Sequence, residues 1–225
     1  GEALQLVRSH VPDIIVSDVM MPRMNGYKLC KTIKENINIS HIPVILLTAR
    51  DDRQSQISGY KNGADGYLSK PFEVEMLMEL IRNRLKNREY TKKRYLNAGL
   101  IPTPEESTIS LTDETFLIKL NSIIQENIEN SNLGIQFICQ EVGLGRSSLY
   151  NKLKALTGMG ANEYISKLRI EKAITLISGT DMPFSEIAEK TGFTTPSYFS
   201  TAFKQYTGET PSQYKERKKK GLAGK

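Results

Sequence analysis

The sequence predicts an α/β segment followed by an all-α domain. Three observations carry this. Short apolar runs alternate with helical patterns in the first third of the 225 residues. A stretch rich in proline, glycine and small polar residues, Asn97 to Ser107, interrupts the chain near its middle. A six-residue pattern then occurs twice, 50 residues apart, as Leu153-Lys154-Ala155-Leu156-Thr157-Gly158 and Phe203-Lys204-Gln205-Tyr206-Thr207-Gly208.

The apolar runs come first. Asp13-Ile14-Ile15-Val16-Ser17-Asp18 ends in an acid, Pro43-Val44-Ile45-Leu46-Leu47-Thr48-Ala49 in a hydroxyl, and Gly66-Tyr67-Leu68-Ser69-Lys70 in a lysine. Continuous runs of this length suit strands buried on both faces of a parallel sheet. Helical patterns fall at roughly 25–36, 53–62 and 73–87. Ligands of such sheets bind at the carboxyl ends of the strands. Asp18, Thr48 and Lys70 therefore converge on one crevice. A carboxylate there can act as nucleophile. An ammonium and a hydroxyl beside it can donate to phosphoryl oxygens.

The second domain begins near Thr112-Asp113-Glu114, where acids favour a helix start. Phe116, Leu117, Leu120, Ile123, Ile124 and Ile128 follow at helical spacing and form a core stripe. Upstream of each repeat lies a second echo: Ile138-Cys139-Gln140-Glu141-Val142-Gly143 matches Ile187-Ala188-Glu189-Lys190-Thr191-Gly192. Each copy reads as helix, glycine turn, helix, at about 135–157 and 184–206. Two such helix-turn-helix motifs suggest duplex DNA read in two places. A connecting helix at about 161–178 buries Tyr164, Ile165, Leu168, Ala173, Ile174 and Ile177. Pro183 or Ser185 starts the helix after it, and Pro211 closes the domain.

Charge agrees with this division. The net charge is +6 overall, −1 over residues 1–81, +4 over 82–110 and +3 over 111–225. A basic distribution of this kind fits a nucleic-acid binder. Arg82, Arg84, Lys86, Arg88, Lys92, Lys93 and Arg94 are read mainly as a solvated helix extension, with DNA backbone contact as the alternative. No apolar run approaches the ~18 residues of a membrane helix, and no leader opens the chain. The segment is read as cytoplasmic and without membrane contact, and an inner-membrane anchor in a longer protein is left open. Cys30 and Cys139 are read as buried free thiols. His10 and His41 lack neighbours at zinc spacing. No catalytic His, Cys–His pair or Gly-rich nucleotide loop is present, so an enzyme is not expected.

Asp18-Val19-Met20-Met21-Pro22-Arg23-Met24-Asn25-Gly26 resembles the phosphoacceptor loop of response-regulator receiver domains, and Thr48-Ala49 and Lys70-Pro71 follow at matching spacing. The resemblance implies a flavodoxin-like fold, with Asp18 as phosphoacceptor and Thr48, Tyr67 and Lys70 as the phosphorylation switch. It also implies a Lys70-Pro71 bond that is commonly cis. Mg2+ in the intact receiver would be held by Asp18, the Met20 backbone carbonyl and an acidic pair ending the first strand. Nothing before Asp18 supplies that pair. Glu2 and Asp13 are the only upstream acids. The opening residues resemble the receiver's second helix, so the domain is read as partial, lacking its first two strands and first helix. An exposed apolar edge is expected beside the Asp18 strand. Alone, this chain is expected to bind no Mg2+ and to remain unphosphorylated.

Gly192-Phe193, Ser197-Tyr198-Phe199-Ser200, Phe203-Lys204, Thr207-Gly208 and Pro211-Ser212-Gln213-Tyr214 resemble the AraC/XylS DNA-binding signature, over about 112–217. The resemblance implies seven helices. It implies base reading by Arg146, Ser147, Tyr150 and Asn151 on one helix, and by Pro196, Ser197, Tyr198 and Thr201 on the other. Leu149, Leu153, Phe199 and Phe203 would be the buried positions between them. Asn suits adenine, and Tyr or Thr can pack on thymine. Asn151 replaces a common Arg, and Gly145 a common serine cap. Lys152, Lys154, Arg169, Lys190 and Lys204 are candidates for phosphate contact or plain surface.

The expected layout is a partial receiver at 1–88, a linker at 89–111, an AraC-type domain at 112–218 and a basic tail at 219–225. It resembles the output half of a hybrid two-component sensor-regulator, with promoter DNA and a histidine kinase phosphodonor domain as partners and a homodimer left open. The alternatives are a free-standing response regulator, or a DNA-binding protein whose degenerate receiver only mediates assembly.

Overall fold

Strands β1 (Ile15–Asp18), β2 (Val44–Thr48) and β3 (Gly66–Ser69) form one parallel sheet in the order β1-β2-β3. Asp18 lies opposite Leu47, and Thr48 opposite Ser69, so all three strands end at one level. The fold comes from a computed structural model that describes residues 2–49, 62–98 and 110–223. The helix expected at about 53–62 lies outside the described residues.

Around the sheet lie α1 (Glu2–His10), α2 (Gly26–Glu35) and α3 (Val74–Ala98). Asn25 starts α2 by accepting a hydrogen bond from the Lys28 amide at 2.8 Å. Leu29, Cys30 and Ile33 of α2 pack with Val19, Ile42, Val44 and Leu46. Helix α3 runs past 88 to Ala98, into the span read as linker. No Pro or Gly interrupts it before Gly99.

The strands depart from the expectation of burial on both faces. Only β2 is nearly all buried; β1 and β3 alternate. β2 has a neighbour on each side, whereas Val16 of β1 is 39% exposed and the outer edge of β1 has no strand among the described residues.

Among the described residues seven helices follow: α4 (Leu111–Glu126), α5 (Ile135–Val142), α6 (Arg146–Thr157), α7 (Ala161–Gly179), α8 (Phe184–Lys190), α9 (Pro196–Thr207) and α10 (Pro211–Ala223). The basic end expected as a tail from 219 is helical to Ala223. Contacts divide the chain into two compact units. One comprises Gly1–Leu117 with Ser147–Gly158; the other comprises Ile118–Arg146 with Met159–Lys225. Most of α6 thus belongs with the sheet.

The second unit has an aromatic spine. Phe193, Phe199, Phe203 and Tyr214 stack successively with ring centroids 5.4–5.7 Å apart, beside Ile170, Ala173, Ile177 and Ile187. Such contacts add to simple burial. The turn before α9 needs glycine at 192. Its φ is +74°, and a Cβ there would lie 2.2 Å from the Ile128 carbonyl oxygen.

Candidate functional sites

The first site stands at the carboxyl ends of the strands. Asp18 Oδ1 accepts from the Met20 amide at 3.1 Å, and Lys70 Nζ donates to Asp18 Oδ2. The Lys70 hydrogen bond, then that from Met20, holds the Asp18 carboxyl below the usual range, so it is ionised at neutral pH. The Lys70-Pro71 bond is cis. The Lys70 amide donates to the Thr48 carbonyl at 2.6 Å, tying the third strand end to the second. Thr48 is buried, and the Tyr67 hydroxyl lies 3.4 Å from that of Tyr27. The loop after Asp18 is tight: a Cβ at Gly26 would lie 2.4 Å from the Asp18 carbonyl oxygen. Arg23 in that loop has φ of 70°, and Met20 is exposed.

Magnesium demands six oxygen donors in near-octahedral array. Here the crevice offers the Asp18 carboxylate, with one oxygen already bonded to Lys70. Among the described residues, no group of three or more His, Cys, Asp or Glu side chains could hold a metal. Glu2 begins α1, and Asp13 accepts from Arg88 through its carbonyl at 3.2 Å. The residues present do not fit the ion by themselves.

The second site is helix α9. Thr195 caps it, accepting from the Tyr198 amide at 3.1 Å, and Pro196 fills the first turn, where no amide partner is needed. Phe199 and Phe203 face the core. Pro196, Ser197, Tyr198, Thr201 and Lys204 are all exposed. Thr201 donates its hydroxyl to the Ser197 carbonyl at 3.1 Å, leaving its methyl and the oxygen lone pairs outward-facing options for base contact.

Helix α6 is the third. Leu149 and Leu153 are buried, while Arg146, Ser147, Tyr150 and Lys154 are exposed and Asn151 is half-buried. Lys152 corrects the sequence reading. It is fully buried, donating to Asp113 Oδ1 and to Ser40 Oγ at 2.8 Å, and so has no free charge for a phosphate. Asp113, read as a helix-start acid, is the buried partner; it also accepts from Ser40 at 2.7 Å and Ser110 at 2.8 Å. Burial opposes its charge, but Lys152 and these hydrogen bonds hold its carboxyl below the ordinary value.

Other candidates are also drawn inward. Arg169 donates to the Asn130 carbonyl at 2.7 Å and lies over the Phe193 ring. Lys190 is half-buried. Of the basic run on α3, Arg82 and Lys86 are exposed as a solvated extension requires, but Arg84 and Arg88 are half-buried. The side chains of Lys93 and Arg94 lie outside the described residues. Cys30 is buried, and burial pushes its thiol up to about 11. Cys139 is only half-buried, against expectation, because it flanks the buried stripe of α5 at Ile138 and Val142. No described helix is long and apolar enough to cross a membrane.

Comparison with known proteins gives two family matches: a response regulator receiver domain at residues 1–82 and a helix-turn-helix domain at 138–217. Histidine kinase P4 of Formosa agariphila is 42% identical over 96% of the chain, which spans 16% of that protein's length. The "Probable transcriptional regulator ycf29" of Pyropia yezoensis is 31% identical over 72% of the chain and 78% of its own length. Among solved structures, the C-terminal domain of AraT, a response regulator from Geobacillus stearothermophilus, is 31% identical with a TM-score of 0.43, over 45% of the chain and 84% of that domain.

Proposed function

Because the chain belongs to the response regulators, joining a receiver domain to an AraC-type helix-turn-helix DNA-binding domain, we propose that it is the output end of a phosphorelay. In this reading Asp18 is the phosphoacceptor in the intact receiver, and helices α6 and α9 read promoter DNA. The observation that carries it is the paired construction: an ionised Asp18 under Lys70 at the strand ends, and an exposed polar face on a capped helix-turn-helix helix.

The Asp18 carboxylate is the nucleophile. Its oxygen bonds to phosphorus as the donor's phosphorus–nitrogen bond breaks, and the phosphohistidine returns to histidine. Lys70 then transfers its hydrogen bond to a phosphoryl oxygen, with Thr48 as the hydroxyl partner and Tyr67 as the aromatic that repositions. Magnesium, in an intact receiver, would neutralise phosphoryl charge. The proposed layout keeps the receiver at 1–88 and the DNA-binding domain at 112–218, with α3 running on to Ala98. Base contacts are assigned to Arg146, Ser147, Tyr150, Asn151, Ser197, Tyr198 and Thr201, and phosphate contact to Lys204.

A hybrid sensor kinase as the full-length protein is supported by the 42% identity to histidine kinase P4. A free-standing regulator is the second reading, supported by the ycf29 relative, most of whose length the chain covers. Both place a kinase phosphodonor and duplex DNA as partners.

A salt series of binding to duplex promoter fragments tests the DNA assignment, with Asn151→Ala and Thr201→Ala beside the parent. Loss of fragment preference with a retained steep salt slope is expected. Equal binding to every fragment by all three proteins would reject it.

A further inference from the structure

A cavity of about 70 Å3 lies wholly within the first compact unit. The fold brings its charged lining together from four segments: Lys34 on α2, Asp65 before β3, Arg84 and Arg88 on α3, and Asp113 on α4. Three of these groups are satisfied inside the protein. Lys34 Nζ donates to the Ser40 carbonyl at 3.3 Å and the Ile42 carbonyl at 3.0 Å, and pairs with Asp65 Oδ2 at 2.7 Å. Asp65 also accepts from the Val44 amide at 2.7 Å. Asp113 accepts from Ser40, Ser110 and Lys152.

Two other lining side chains are not satisfied. Arg84 Nε is buried and has no hydrogen-bond partner among the described residues. The same holds for both ring nitrogens of His41, a residue only 6% exposed. A buried donor left without a partner is costly. This lining therefore favours a guest that brings acceptors.

The rest of the lining decides the kind of guest. Pro43, Ala155 and Leu156 give the cavity apolar surface. Space of this size would take roughly five waters, each needing about two to four polar partners, and those beside the apolar surface would lack them. A guest with one charged end and one short hydrocarbon end suits both kinds of surface. Guanidinium groups bind carboxylates through planar, charge-assisted hydrogen bonds. Lys34, Arg84 and Arg88 outnumber Asp65 and Asp113 by one charge, which matches a monoanion.

We propose that this cavity binds a short-chain monocarboxylate of about four to six heavy atoms. Its carboxylate accepts from Arg84 Nε and from the His41 N–H, and Arg88 supplies a second cation. Its hydrocarbon end packs on Pro43, Ala155 and Leu156. The site is separate from Asp18 and stands independently of the phosphorelay reading.

Propionate, titrated into the whole chain against chloride at matched ionic strength, tests this by thermal unfolding and by NMR. A saturable rise of the unfolding midpoint with propionate, and none with chloride, is expected. Nuclear Overhauser contacts should join the propionate methyl to the methyls of Ala155 and Leu156. Arg84→Gln should weaken propionate binding by about tenfold or more. Arg82→Gln, at an exposed position of the same helix, should leave it unchanged. Ala155→Leu, which fills the cavity, should abolish the contacts to Leu156. Equal midpoint shifts with chloride and propionate, or a saturable shift without those contacts, would overturn the proposal. Saturable binding of inorganic phosphate in place of propionate would overturn it as well. If Arg84→Gln does not fold, the methyl contacts in the parent decide.

Discussion

Helices α6 and α9 descend from one sequence pattern and end in different surroundings. Leu149 and Leu153 answer Phe199 and Phe203, and Lys154 answers Lys204. The repeat puts Ala202 where Lys152 stands. At that one position α9 carries a small residue packed against its own core, while α6 carries a buried ammonium tied to Asp113 and Ser40. The long side chain of Lys152 joins α6 to Ser40 and Asp113, whereas Ala202 of α9 packs on its own core. The lesson is that a repeated helix-turn-helix pattern can be made unequal without changing its core positions.

The largest effect that breaks this comparison is removal of the ammonium. Lys152→Met leaves Asp113 buried without its cation and is expected to cost about 3–5 kcal/mol in urea unfolding. The double variant Lys152→Met with Asp113→Leu should recover most of it. Lys204→Ala on α9 should stay within about 0.5 kcal/mol. Equal losses at 152 and 204 would dissolve the contrast.

A pH effect comes next. His41 adjoins the α6 cluster, and among the described residues neither ring nitrogen has a hydrogen-bond partner. Burial pushes its imidazole down to about 3 from 6.5; the Lys152 charge adds to the shift, Asp113 opposes it, and Arg88 and Lys34 add to it. The folded state thus keeps His41 neutral where the unfolded chain takes up a proton. Its stability contribution is full above pH 6.5 and is lost as pH falls toward 3. By pH 4.5 the loss is about 2–3 kcal/mol. Thermal unfolding of His41→Phe should be less steep in pH than that of the parent; parallel curves would contradict the shift.

Smaller effects sharpen the difference at the helix starts. Thr195→Ala removes the α9 cap and should cost about 1 kcal/mol. Gly145→Ser supplies α6 with the cap it lacks, where a Cβ meets nothing within 4 Å, and should gain a few tenths of a kcal/mol. Denaturant midpoints of the two variants should move in opposite directions.

Much of this was legible in the sequence because it is local. The strand ends at Asp18, Thr48 and Lys70 are marked by where apolar runs stop. The two helix-turn-helix motifs are marked by periodicity and glycine. Thr195 was missed although its signal was present: a hydroxyl residue directly before a proline that opens a helix. The extension of α3 was legible as far as Arg94, because the basic run reads as a solvated helix extension and no breaker stands before Gly99. Ser40, Asp113 and Lys152 had no local signal at all. They lie 39 to 112 residues apart, and burial of a lysine is decided by partners that only the fold brings together. Arg169 was read as a surface cation for the same reason, since its acceptor is a backbone carbonyl on another segment.

Hydroxyl-radical footprinting across a protein titration tests the central claim most directly, because it reads each helix separately on one duplex. Thr201→Ala identifies the half-site of α9, and Asn151→Ala that of α6, one helical turn away. The parent is predicted to protect the α9 half-site at lower protein concentration than the α6 half-site. Simultaneous protection of both half-sites by the parent would contradict the inequality of the two helices.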